Sequence, residues 1–226
     1  LGLELGKTYY WKVNEVNEAD IDTSWEGDIW SFVATEYLTV EDFERYDDFC
    51  NRIFYAWLDG YGHSGDTSCG VAPYDGNKTG STVGKYNAPF AERTVVHEGR
   101  QSMPLAYNNA DPPYYSETEH RWTIAQDWTR GGAQRLTLWF YGDIGNAAQP
   151  LYVVLQDSTG AIRIVTHNNP EAIQVNNWQE WTIPLSSVSG LNLSSIKSMY
   201  IGVGNRTTPS IDSMGRIYID DIRLYP

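Results

Sequence analysis

Helical periodicity is almost absent from this 226-residue chain. What recurs is short runs of alternating apolar and polar residues, broken by Gly, Pro, Asn and Asp. An amphipathic helix needs apolar residues three and four apart. A half-buried strand needs them at every second position. The pattern therefore predicts an all-β chain, a sandwich of two antiparallel sheets. Strands are expected at 9–16, 28–33, 52–58, 136–141, 151–156, 161–166, 180–183, 199–203 and 216–224, with one helical turn near Ser194. Ser-Gly, Asn-Pro and Asp-Gly pairs mark turns between runs.

Charge narrows the partners. The net charge is −13 and the pI about 4.6. Phosphate binding needs clustered Lys and Arg, so no nucleic-acid partner is expected. Docking on an anionic membrane surface is disfavoured for the same reason, and no run approaches the roughly 20 apolar residues of a membrane span. No signal peptide is visible, and the opening Leu1-Gly2-Leu3-Glu4 reads as a segment of a longer, multidomain protein. Acidity with many Tyr, Trp, Asn, Gly and Thr points to a secreted, extracellular, bacterial protein. Cys50 and Cys69 lie in no CxxC motif; a single disulfide and two free thiols are both open readings.

Residues 1–36 read as a separate piece. Leu5-Gly6-Lys7-Thr8-Tyr9-Tyr10-Trp11-Lys12-Val13 and Asp28-Ile29-Trp30-Ser31-Phe32 form two hairpin partners. Their "GKTYYWKV…WSF" pattern resembles the last two strands of a fibronectin type III-like domain. Residues 37–226 are a comfortable size for one sandwich, and their loopiest stretch is 59–87.

The ends of the main unit are acidic. It starts with Val40-Glu41-Asp42-Phe43-Glu44 and closes with Ile217-Tyr218-Ile219-Asp220-Asp221-Ile222-Arg223-Leu224. In the last run Ile217 and Ile219 share one parity, Ile222 and Leu224 the other. A bulge at Asp220-Asp221 reconciles both halves with one buried face. These two ends resemble those of calcium-containing jelly-roll carbohydrate-binding modules of the galactose-binding-like superfamily. The resemblance implies a jelly roll and a structural Ca²⁺ held by Asp42, Glu44 and Asp220. The residues alone also allow charge pairing with Arg45, Arg216 or Arg223.

The second unusual feature is 9 Trp, 16 Tyr and 6 Phe. Flat rings stack on sugar faces, while Asp, Gln and Arg bind hydroxyls. Alternation assigns Phe54, Ala56, Leu58, Leu136, Leu138, Phe140, Leu151, Val153, Leu155, Ile162 and Ile164 to the core. It leaves Trp57, Asp59, Trp139, Tyr152, Gln156 and Arg163 on non-core faces as a candidate platform. Tyr61, Tyr114 and Tyr115, on turn-rich segments, form a rival loop site. Catalytic patterns are weak. His63, His97, His120 and His167 lie in no HExxH, and Gly62-His63-Ser64-Gly65-Asp66 fails the GxSxG pattern at its last position. Glu98, Glu117, Glu119 and Asp127 are nominal carboxylates for glycoside hydrolysis. The expectation is therefore a non-catalytic module that binds a plant or algal cell-wall polysaccharide and targets a larger protein to it. A spacer without a sugar site and a glycan-active lyase or glycosidase are the alternatives.

Overall fold

The computed structural model describes residues 2–19, 21 and 24–226. In chain order its strands are β1 (Thr8–Trp11), β2 (Glu15–Val16), β3 (Ser24–Trp25), β4 (Trp30–Val33), β5 (Leu38–Glu41), β6 (Trp57–Leu58), β7 (Ser81–Val83), β8 (Met103–Asn108), β9 (Tyr115–Gln126), β10 (Arg135–Tyr141), β11 (Leu151–Asp157), β12 (Ile162–Thr166), β13 (Trp178–Pro184), β14 (Ile196–Gly204) and β15 (Met214–Tyr225). Two sheets form the main unit. One runs β13-β10-β15-β8-β7, with β5 also paired to β15; the other runs β12-β11-β14-β9-β6. The pairs that build them are antiparallel. The chain is an all-β sandwich, as its alternation predicts, and of the jelly-roll kind that the resemblance of its two ends implies.

The core follows from strand parity. Met103 and Leu105, Leu136, Leu138 and Phe140, and Ile217 and Ile219 face Leu151, Val153 and Leu155, and Met199, Ile201 and Val203. Side chains alternate across a strand, so the intervening residues point away from this layer. The expected bulge in the last strand is present. Asp221 has φ +46°, and at this point β15 changes partner on one edge, from β8 (Ile219↔Met103) to β5 (Ile222↔Glu41). The extra residue restores Ile222 and Leu224 to the core side.

Three local expectations need correction. The stretch 52–58 is not a strand: Ile53–Ala56 make one helical turn, α1, and only Trp57–Leu58 pair, with β9. Ile162 and Ile164 do not face the core. They are 40% and 41% exposed, and Val165 packs inward instead, because the register sets Val153 opposite Val165. The expected strand 9–16 is broken between Trp11 and Glu15. The helical turn near Ser194 is there as a 3₁₀ turn, Leu193–Ser195, with the Asn192 side chain accepting from the Ser194 N–H. Cys50 and Cys69 are bridged, Cα–Cα 5.3 Å, tying the segment before α1 to the long loop that follows β6.

The N-terminal piece forms the expected hairpin, β1 with β4, in the register Thr8↔Val33 to Trp11↔Trp30. Stacked cross-strand pairs, Tyr9–Phe32 and Trp11–Trp30, hold it. Leu5 is buried where Gly131 of the main unit has no side chain; a Cβ there would lie 2.6 Å from Leu5 Cγ.

Candidate functional site

The residues expected to form one platform fall on different surfaces. Trp57 is 1% exposed; its ring packs on Phe43 and His120, and its Nε1–H points at Glu41 Oε2, 3.4 Å away. The helical turn before it breaks the alternation, so parity counted from Phe54 assigns the wrong face. Asp59 is also buried. Its oxygens accept from the Gly62 and Val83 N–H groups, which makes it the brace of a loop. Trp139 lies on the outer face of the six-stranded sheet, one side of its ring stacked on His97 at 3.8 Å. Arg163 sits on edge strand β12 and donates to the Ser189 carbonyl. Tyr61 is exposed on its loop, and Tyr114 follows the cis Pro112–Pro113 bond with φ +66°.

Tyr115, Tyr152 and Gln156 do share a surface, the outer face of the five-stranded sheet. Alternation along β9 places Glu117, Glu119 and Arg121 on this face, beside Tyr200 and Gly202 of β14. Gly202 is the structural key. A Cβ there would lie 2.3 Å from Tyr152 Cζ and 2.6 Å from the Ser116 carbonyl. Without one, the Tyr152 ring lies across β14 and donates its hydroxyl to Glu117 Oε2 at 2.9 Å. Arg206, from the loop after β14, meets the same carboxylate at 2.9 Å and covers the Tyr200 ring. The Tyr200 hydroxyl donates to Glu119 Oε1 at 2.7 Å, and Arg121 donates to Glu119 Oε2 at 2.6 Å.

The result is a connected polar network on a sheet face that does not contribute to the core. Glu117 and Glu119 are almost fully buried, yet Arg121 is 59% exposed and Tyr200 and Gln156 are half-buried. Burial raises the Glu117 carboxyl above its ordinary value, and Arg206 and the Tyr152 hydroxyl oppose that shift. Burial also pushes the Tyr152 and Tyr200 phenols well up, reinforced by the carboxylates beside them. Both phenols therefore stay protonated and act as donors. Glu117 and Glu119 entered the sequence reading only as nominal acids. The signal that could have placed them is the every-second-residue pattern Glu117, Glu119, Arg121. The intervening Ser116, Thr118 and His120 are polar too, and this hides the strand.

The acids expected to share a cation are dispersed. Glu44 Oε1 accepts from the Arg100 and Gln101 N–H groups, and Oε2 pairs with Arg100. Asp42 Oδ1 accepts from the Glu44 N–H. Asp220 is fully buried, accepting from the His97 and Asp221 N–H groups. Burial, with Asp221 beside it, raises its carboxyl to about 7. Among the described residues, the three-ligand group that converges is His97, Glu98 and Asp221, within 4.8 Å. Arg223 already pairs with both acids of that group. The trio does not fit a shared ion as it stands; of the three acids expected to hold calcium, Asp220 is the fully buried one, and its hydrogen bonds come from backbone N–H groups.

No protein-family model matches the chain, and no curated protein does. Solved structures do. An exo-β-agarase structure aligns with a TM-score of 0.54 at 15% identity, over 85% of this chain and 25% of that one. The family 11 carbohydrate-binding module of the cellulosomal cellulase Lic26A-Cel5E of Clostridium thermocellum gives 0.47 at 15% identity, over 84% and 94%. A structure concerned with promiscuous specificity among carbohydrate-binding modules of the β-sandwich superfamily gives 0.48 at 12%, over 97% and 74%. At 15% identity the likeness to the exo-β-agarase structure is one of fold alone.

Proposed function

We propose that the outer face of the five-stranded sheet binds a polysaccharide without cleaving it. The observation that carries this reading is the pair Glu117 and Glu119, buried on the side of the sheet away from the core and each held by a tyrosine and an arginine. Burying two carboxylates on such a face is costly unless they are paired. Here the pairing fixes Tyr200, Arg121 and Arg206 in place before any ligand arrives. Preorganised donors and a fixed ring reduce the ordering cost of gripping a flexible chain. The part of Tyr200 that Arg206 leaves open and the half-exposed Ile164 offer apolar surface; Arg121, Arg206 and Gln156 offer donors for hydroxyls. Each carboxylate already has its cationic partner, which suits scaffolding better than acid catalysis. In this reading the chain serves a larger extracellular protein by holding it on a plant or algal cell-wall glycan.

Affinity electrophoresis on hydroxyethylcellulose, mixed-linkage β-glucan, agarose and polygalacturonate tests it. Tyr200→Ala and Arg121→Ala are each expected to weaken retention on the preferred polymer about tenfold, a loss of about 1.4 kcal/mol. Folding is checked by melting temperature. Variants that run like the wild type would remove this face from binding; a wild type retained by none of the four would favour the spacer.

We propose, on Asp220, that a calcium ion stabilises the first and last strands. EDTA is then expected to lower the melting temperature, and added Ca²⁺ to restore it. An unchanged melting curve would leave Asp220 to its backbone N–H partners alone. The relation of residues 1–36 to a fibronectin type III-like domain is likewise a proposal, supported by their hairpin.

A further inference from the structure

The opposite sheet carries a groove that the reading above does not use. Two adjoining cavities, of about 1060 and about 500 Å³, share Thr82, Ala106 and Arg216. These three residues form one cross-strand row, Thr82↔Ala106↔Arg216, on β7, β8 and β15. Their chain neighbours Val83, Leu105 and Ile217 are in the core, so the row faces outward as the floor of a trough. The larger cavity is flanked by Tyr61 and Tyr86, 80% and 96% exposed.

Two buried polar atoms near the trough lack partners. His63 Nδ1 lies buried behind the wall of the larger cavity, and the Tyr107 hydroxyl lies on the core side of β8, in phase with Leu105. The charges on the larger cavity's wall are mostly matched, Arg52 with Asp66 and Lys85 with Glu92. Among the described residues Arg216, exposed in mid-floor, has no ion-pair partner. Tyrosine rings, hydroxyl-binding groups and one free guanidinium suit a neutral sugar chain, and the net charge of −13 disfavours a polyanion.

We infer that this groove is a second polysaccharide site, which makes the chain bivalent, with one glycan on each outer face of the sandwich. The inference rests on the proposed function only for its ligand class. The test uses the whole chain, a groove variant (Tyr61→Ala with Tyr86→Ala) and a face variant (Tyr200→Ala with Arg121→Ala). The three neutral polymers and polygalacturonate are the ligands. On a neutral polymer the wild type is expected to sediment a cross-linked network. Each double variant should bind yet fail to cross-link, and the quadruple variant should not bind. A groove variant that binds and cross-links like the wild type overturns the second site. Retention of the wild type by polygalacturonate alone, or by no polymer, overturns it too. A face variant indistinguishable from the wild type, beside a groove variant that has lost retention, upholds this site and overturns the proposal for the five-stranded sheet.

Discussion

Trp57→Ala is expected to cost about 3–5 kcal/mol, the usual range for removing a buried large aromatic ring. In a chain of this size that lowers the melting temperature by roughly 10 °C. The Trp57 ring is 1% exposed and touches Phe43 and His120. Its loss leaves a cavity where α1 meets the sandwich, and takes the indole N–H away from Glu41, a carboxyl that burial already raises. Trp57→Phe keeps most of the volume and should lose less. Urea unfolding of both variants checks the expectation, with glycan retention measured in parallel below the transition. If Trp57 only packs, folded Trp57→Ala retains polysaccharide as the wild type does. Normal stability combined with lost retention would return the ring to the binding surface.

Trp57 also shows where sequence reading succeeds and where it stops. Alternation is reliable inside long strands paired on both sides. Leu136, Leu138 and Phe140 in β10, and Leu151, Val153 and Leu155 in β11, lie on the predicted face. The switch of parity at Asp220–Asp221 correctly signals a bulge, because two apolar pairs of opposite phase can share one core only if a residue is inserted. Alternation fails where a strand starts from a helical turn, as at Trp57. It fails again at edge strand β12, where Ile162 and Ile164 gain partial cover on the outer face. It is blind to β9, whose polar residues occupy both parities. There the inward Ser116 and Thr118 hydroxyls donate to the Asn109 side chain and the Leu58 carbonyl, and hydrophobicity carries no signal. Tyr152 was identifiable as a non-core residue. Its partner Glu117 was not, because their meeting depends on Gly202, two strands' pairing and a loop arginine.

Acid should weaken the same corner of the fold through His120. On β9 its ring faces inward between Trp57 and Trp122, with Nδ1 buried and unbonded. Burial depresses its pKa to about 4, against the opposing pull of the Glu119 charge. Glu41 Oε2 is 3.9 Å from Nε2, but the Glu41 carboxyl is itself raised by burial and is a weak counter-ion. The unfolded chain protonates this histidine near pH 6.5, whereas the folded chain holds it neutral down to about 4. The unfolded state therefore binds more protons across that window, and stability falls as pH drops from about 6.5 to about 4. The full loss is on the order of 3 kcal/mol. Urea unfolding of the wild type and His120→Gln at pH 7 and pH 4 separates this from the titration of the carboxylates. The wild type should lose about 3 kcal/mol more than the variant, and equal losses would show that His120 is free to charge in the folded state. Glu119 and Arg121 flank His120 on the same strand and point to the opposite face. Because the folded chain keeps His120 neutral over most of this range, folded wild type and His120→Gln are expected to retain glycan equally at pH 5.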